Sequence, residues 1–213
     1  MKLLVAIPTC QSLSYPNPTC SHISGPNARA DWCRKTWADS LGECLDVRFF
    51  HGRDFKGDPR PDEVVLDCGD SFRDLREKVR AICRWALSHG YDRVVKIDDD
   101  VFVDIPLFLS RFRRSEYRGH PVRGDVGGVE AEYASGAAYQ IGPKAMQVVA
   151  AMDFACPYED RCVGWALSQA GIALEPSDEI LLCWCDKCAR SSPPTFYHCD
   201  TAERRALFFL PKS

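Results

Sequence analysis

Arg93-Val94-Val95-Lys96-Ile97-Asp98-Asp99-Asp100-Val101-Phe102-Val103 decides how the rest of this chain is read. Apolar Val94, Val95 and Ile97 lead into three consecutive carboxylates, and an apolar run resumes at Val101. The pattern is that of a buried strand ending in acid. Strand side chains alternate faces, so Asp98 and Asp100 are expected on one side and Asp99 on the other, Asp99 having the more structural place. Two carboxylates one strand-step apart supply half a site for a hard cation, which prefers oxygen ligands and carries phosphate oxygens on its free positions. Acidic triplets also stand in solvated turns and calcium loops. A turn seldom has apolar flanks on both sides, and a helix-loop-helix calcium loop needs a Gly and a distal Glu at fixed offsets that are absent here.

Working outward, Ser71 to Ser88 carries Phe72, Leu75, Val79, Ile82, Cys83, Ala86 and Leu87 at the spacing of one buried helix face. Asp70 or Ser71 is placed to cap its start and Gly90 to end it. Strand, crossover helix and further strand predict a parallel pair. Upstream, Lys2 to Pro8 reads as a buried first strand that ends at Thr9 and opens into the loop Gln11 to Asn27. Ligands of α/β sheets bind at such carboxyl ends, which makes Thr9 a candidate binding residue. Ala28 to Leu41 is helix-like, with Arg29 and Arg34 either solvated or turned towards phosphate. Leu45 to Phe50 and Glu63 to Leu66 are further strands. Downstream, Asp104 caps a helix with Pro106 in its first turn. Pro121 to Gly128 is strand and turn, Tyr133 to Ile141 a strand of small residues, and Pro143 to Met152 a helix. Glu159 and Asp160 open the helix that Gly171 ends, where acids ordinarily complement the dipole.

The chain has 213 residues, enough for one domain, and 27 basic against 30 acidic side chains with no basic block, which argues against nucleic acid. Leu3 to Ile7 is too short to span a bilayer and lacks the cleavage region of a signal peptide, so the expectation is a cytoplasmic protein without a membrane segment. Twelve cysteines are many for reduced thiols. Cys183, Cys185 and Cys188, with Cys199 beside His198, have the spacing of a structural zinc site, and buried thiols or disulfides are the alternatives.

These blocks stand in an order that resembles the Fringe and β1,3-galactosyltransferase family of glycosyltransferases. They are Arg29 with Cys33-Arg34-Lys35-Thr36-Trp37; Asp70, Leu75 and Lys78; Lys96 to Val103; Tyr133 to Tyr139; Glu159-Asp160 with Gly164; and His198. The resemblance implies an α/β fold of the GT-A type, a Rossmann-like sandwich with a central, mostly parallel sheet. It implies a UDP-sugar donor, a carbohydrate acceptor, manganese or magnesium, and inversion at the anomeric carbon. Asp100 and His198 would then bind the metal, and Asp98 the metal or the ribose. Arg29, Arg34, Lys78 and Asp99 would lie near the nucleotide, and Asp160 would be the catalytic base. Arg161 departs from the family, which usually has an apolar residue there. Two other readings are a nucleotidyltransferase on a similar sheet and a zinc-stabilised interaction module.

Overall fold

The computed structural model describes residues 1–10, 28–126, 128–153, 158–181 and 193–199. Its frame is a seven-stranded sheet in the order β3-β2-β1-β4-β7-β6-β8. The strands are β1 (Leu3–Pro8), β2 (Asp46–His51), β3 (Glu63–Val65), β4 (Arg93–Ile97), β6 (Tyr117–Val126), β7 (Val129–Ile141) and β8 (Glu175–Pro176). Every strand but β7 runs in one sense; β7 lies antiparallel between β4 and β6. A smaller sheet joins β5 (Val101–Val103), β10 (Phe196–His198) and β9 (Ile180–Leu181).

The period of two in β1 builds the layers. Leu4 and Ala6 pack into one core with α3 (Leu75–Ser88), α5 (Pro143–Ala151) and α6 (Glu159–Gln169). Leu3, Val5 and Ile7 point the other way, into a second core with Trp32, Trp37, Val101 and Phe196. The sheet is thus covered on both faces, which suits its near-continuous apolar strands.

Along α3, Val79, Ile82, Cys83 and Ala86 are buried, as the helical spacing requires. A short 3-10 turn, Phe72–Asp74, precedes it, and Ser71 caps that turn through a reciprocal pairing with Asp74. Gly90 ends the helix in the left-handed region at φ 71°. Asp104 accepts the Leu107 N–H at 3.0 Å and opens α4 (Ile105–Arg111). The helical run from Ala28 is not uniform. It passes from α1 (Ala28–Cys33) through a π turn, Arg34–Ala38, into α2 (Asp39–Gly42). Inside that turn Trp37 is fully buried and donates its indole N–H to the Val101 carbonyl at 2.9 Å, which pins the helix to the far side of the acidic triplet.

Candidate active site

The triplet is a turn and not a strand end. β4 stops at Ile97, Asp99 and Asp100 form the turn, and the Val101 N–H returns to the Asp98 carbonyl at 3.2 Å. The expected alternation therefore fails. Asp99 and Asp100 share one partner, Arg29, whose Nη1 lies 3.1 Å from Asp99 Oδ1 and 3.5 Å from Asp100 Oδ2. Asp98 turns instead to Lys96 Nζ at 2.5 Å. All three carboxylates line one cleft with Pro8, Cys10, Arg29, Phe72 and Leu75, at the carboxyl ends of β1 and β4. That is where open α/β sheets hold ligands. Burial, opposed by the neighbouring cation, pushes the carboxyl groups of Asp98 and Asp99 up to about 6.

His198 reaches this turn from the other end of the chain. β10 pairs antiparallel with β5, His198 opposite Val101, and the Cys199 N–H donates to the Asp100 carbonyl at 2.7 Å. His198 Nε2 then lies 3.6 Å from Asp100 Oδ1, a buried oxygen with no hydrogen-bond partner. An imidazole nitrogen facing an orphaned carboxylate oxygen fits a divalent cation of intermediate hardness. Among the described residues no third His, Cys, Asp or Glu joins them. Cys199 is a buried free thiol that donates to the Tyr197 carbonyl at 3.1 Å. Cys183, Cys185 and Cys188 lie outside the described residues, and so does the zinc site expected of them. Cys162 is disulfide-bonded, one of the alternatives the sequence left open for the cysteines.

Of the residues expected near a nucleotide, Thr9 and Lys78 are buried beside the cleft residue Cys10, whereas Arg34 lines a separate pocket with Arg60 and Asp62. Lys78 is fully buried, pairs with Asp70 Oδ1 at 2.5 Å and donates to the Thr9 carbonyl. Asp70, expected as a possible cap, instead holds Lys78 and accepts the Gly52 N–H at 2.8 Å. The Thr9 hydroxyl sits 2.7 Å from His51 Nδ1. Arg34 stacks on the Phe49 ring and pairs with Asp31, Asp62 and Glu63. Their polar groups are committed to the protein, and of the expected cations Arg29 alone lines the cleft.

Asp160, at the start of α6, docks on β7. Its Oδ2 accepts the Gly136 N–H at 3.1 Å and its Oδ1 the Arg161 N–H at 2.8 Å. The Gly136 carbonyl in turn accepts from Lys96 Nζ. One residue, Gly136, therefore joins Asp160 through Lys96 to Asp98. A Cβ at Gly136 would stand 3.3 Å from Asp160 Oδ2, so the small residue leaves room for the carboxylate.

Lys96 and Glu159, to which the sequence reading gave no role, complete this cluster. Lys96 is buried between Asp98 and Glu159 Oε2, the latter at 3.5 Å. Burial works against its charge, but the two carboxylates outweigh that and hold the ammonium above its usual range. Glu159 is buried and accepts from the Tyr139 hydroxyl, and burial raises its carboxyl. A signal was present: a lysine among Val94, Val95 and Ile97 needs a partner once the strand is buried.

No model of a known family matches the chain, and no curated protein does. Solved structures are similar in fold. A glycosyltransferase involved in the glycosylation of the major capsid of PBCV-1 superposes with a TM-score of 0.53 at 14% identity, over 98% of both chains. A protein from Bacillus anthracis, assigned as a glucose-1-phosphate thymidylyltransferase and crystallised with sucrose, gives 0.51 at 13% identity, over 100% of this chain and 97% of that one. The chain shares with these structures a Rossmann-like α/β fold.

Proposed function

We propose that the chain is a metal-dependent inverting glycosyltransferase that passes a hexose or N-acetylhexosamine from a UDP-sugar to a sugar hydroxyl, with the β1,3 linkage that its resemblance to the Fringe and β1,3-galactosyltransferase family suggests. The observation that carries the reading is Gly136, whose N–H is accepted by Asp160 and whose carbonyl accepts from the Asp98 partner Lys96. Asp160 is thereby linked, through Gly136 and Lys96, to the acidic turn whose carboxylates line the cleft.

Asp100 and His198 would hold manganese or magnesium, and Asp98, paired with Lys96, would stand near the metal or the ribose. A cation bound there supplies Lewis-acid stabilisation of the charge on a departing diphosphate. Arg29 neutralises the turn from the opposite side and offers a positive group to the nucleotide. Phe72 and Leu75 give the cleft an apolar wall that suits the face of a nucleobase. Thr9 and Lys78 support the cleft wall at Cys10.

A sugar hydroxyl is a poor nucleophile near neutral pH. Asp160 would take its proton during attack, a contribution of about 10²–10⁴ in rate. Attack from the face opposite the diphosphate inverts the anomeric carbon in a single displacement, so no carboxylate need become covalently attached.

The test is UDP release from UDP-galactose, UDP-glucose and UDP-N-acetylglucosamine in the presence of manganese. If no donor is turned over and UDP does not bind, the reading fails. Pyrophosphate release from a nucleoside triphosphate and a sugar 1-phosphate would instead mark a nucleotidyltransferase, although the loop Gln11 to Asn27 has one Gly and no Lys to cradle a triphosphate. Stoichiometric zinc, with UDP binding indifferent to Asp100→Ala, would favour the interaction module.

A further inference from the structure

Arg29 is the one cation among the described residues that lines the cleft, and it is held on two acids of the turn at once. Asp98 has Lys96 as its partner, so Asp99 and Asp100 share a single guanidinium. The Asp99 and Asp100 side chains are 12% exposed and that of Arg29 13%, which leaves little water to screen the group. Two carboxylates against one cation put a surplus of negative charge where a diphosphate would enter, and that surplus repels it.

The guanidinium is not needed to shape the turn. Other groups hold its backbone at four successive residues. The Asp98 N–H donates to the Ala137 carbonyl at 2.9 Å, the Cys33 thiol to the Asp99 carbonyl at 3.3 Å, the Cys199 N–H to the Asp100 carbonyl at 2.7 Å and the Trp37 indole to the Val101 carbonyl at 2.9 Å. Cys33 and Arg29 stand four residues apart on α1, so one helix face brings a thiol to the backbone of the turn and a charge to its side chains.

Arg29 and a divalent cation compete for the same acids. Asp100 gives Oδ2 to Arg29 and keeps Oδ1 buried, without a hydrogen-bond partner, 3.6 Å from His198 Nε2. A cation bound through Oδ1 shares its carboxylate with the guanidinium, and two positive charges on one carboxylate weaken each other's hold. A diphosphate reverses the sign, because its own charge answers both cations.

We infer that Arg29 is a built-in counter-cation that makes the metal exchangeable: it occupies the acidic turn in the metal-free protein, keeps a divalent cation from binding tightly alone, and strengthens the joint binding of that cation and a nucleoside diphosphate. The metal then enters and leaves with the nucleotide and is no resident ion. The inference concerns the regulation of the donor site proposed above and rests on that reading.

The test is a pair of titrations. Manganese is added to the protein with and without UDP, the free ion being followed by its paramagnetic resonance, and UDP affinity at saturating manganese is measured by calorimetry. The wild type should bind manganese about tenfold or more tightly with UDP than alone, and by linkage UDP should gain the same factor from manganese. Arg29→Gln should bind manganese alone about tenfold or more tightly than the wild type, and UDP at saturating manganese about tenfold or more weakly, the scale of one charge-assisted hydrogen bond. Arg29→Lys, which keeps the charge, should stay close to the wild type in both. Asp99→Asn, which leaves Arg29 to Asp100 alone, should weaken manganese binding without UDP, and so reads the same competition in a protein that retains the arginine. A merely structural arginine would weaken both ligands together, and that outcome, or an unchanged manganese affinity in Arg29→Gln, overturns the inference. UDP binding that ignores Arg29 sinks the inference and leaves the donor reading, whereas a wild type that binds manganese but no UDP sinks the donor reading and with it the nucleotide half of the inference.

Discussion

Lys96 keeps its charge beneath a packed sheet because two carboxylates meet on it, one from the next turn of chain and one from α6. Removing a single member of such a cluster leaves the others buried and unpaired, which costs about 3–5 kcal/mol. Lys96→Met is therefore expected to lose that much stability in urea unfolding, and a loss below about 1 kcal/mol would mean that the carboxylates find other partners. Asp160 should behave differently. Asp160→Asn is expected to keep UDP affinity by calorimetry while transfer falls by about 10²–10⁴, since it removes a base and no proposed metal ligand. Loss of UDP binding in that variant would point to a capping role for the acid. The identity of the acidic turn was legible in the sequence because three carboxylates between apolar runs are conspicuous. Its facing was not. A strand-based alternation put Asp99 apart, whereas the turn sets it beside Asp100 on Arg29, and nothing local in Asp98-Asp99-Asp100 announces that the strand has already ended.

Elements with a strong period were read nearly to their ends. α3 was visible in its apolar spacing and α4 in Asp104 and Pro106, because both signals are local. The π turn at Arg34–Ala38 was not, since its extra residue is set by the fit of Trp37 against Val101 and by no propensity. β6 and β7 proved longer than expected, beginning at Tyr117 and Val129. Their outer portions pair with each other and carry Arg123, Glu130 and Glu132, so the apolar alternation of a buried strand is missing there. The contact of α6 on β7 depends on Gly164, where a Cβ would stand 2.3 Å from the Tyr133 Cβ and 3.2 Å from its Cα. Backbone on the strand side cannot yield cheaply. Gly164→Ala is expected to cost about 1–3 kcal/mol and to shift α6 enough to depress transfer. Unfolding curves and turnover measured together test this, and wild-type values in both would show that the helix has slack.

For the molecule as a whole, stability should depend on pH through His51. The residue is fully buried, and burial, against the pull of Glu63, lowers its pKa from 6.5. The folded state thus binds fewer protons than the unfolded chain in acid, and stability is complete above pH 6.5 and declines as pH falls towards the folded value. One such group gives a slope of up to about 1.4 kcal/mol per pH unit. Asp98 and Asp99, raised to about 6, act with the opposite sign as pH falls through that value, so the His51 share is read as the difference between wild type and His51→Gln in denaturant midpoints between pH 7 and 5. The wild type should lose stability relative to the variant over that range, and parallel curves would show that His51 contributes nothing. The sheet order itself was only partly readable. The parallel crossover through α3 follows from handedness rules, but the reversal of β7 cannot be seen in its own residues, because an antiparallel and a parallel strand bury the same side chains. That reversal has a practical side. β7 meets β4 only from Ala138 onward, so Val129–Ala137 overhangs the carboxyl ends of the neighbouring strands as half of a two-stranded ribbon. The overhang is a detachable part in the engineer's sense: exchanging only its tip, residues 125–131, keeps Tyr133, on which α6 and so Asp160 are seated, and leaves untouched the strand ends that lead into the acidic turn, so the tip is where new sequence can be grafted without disturbing the candidate site.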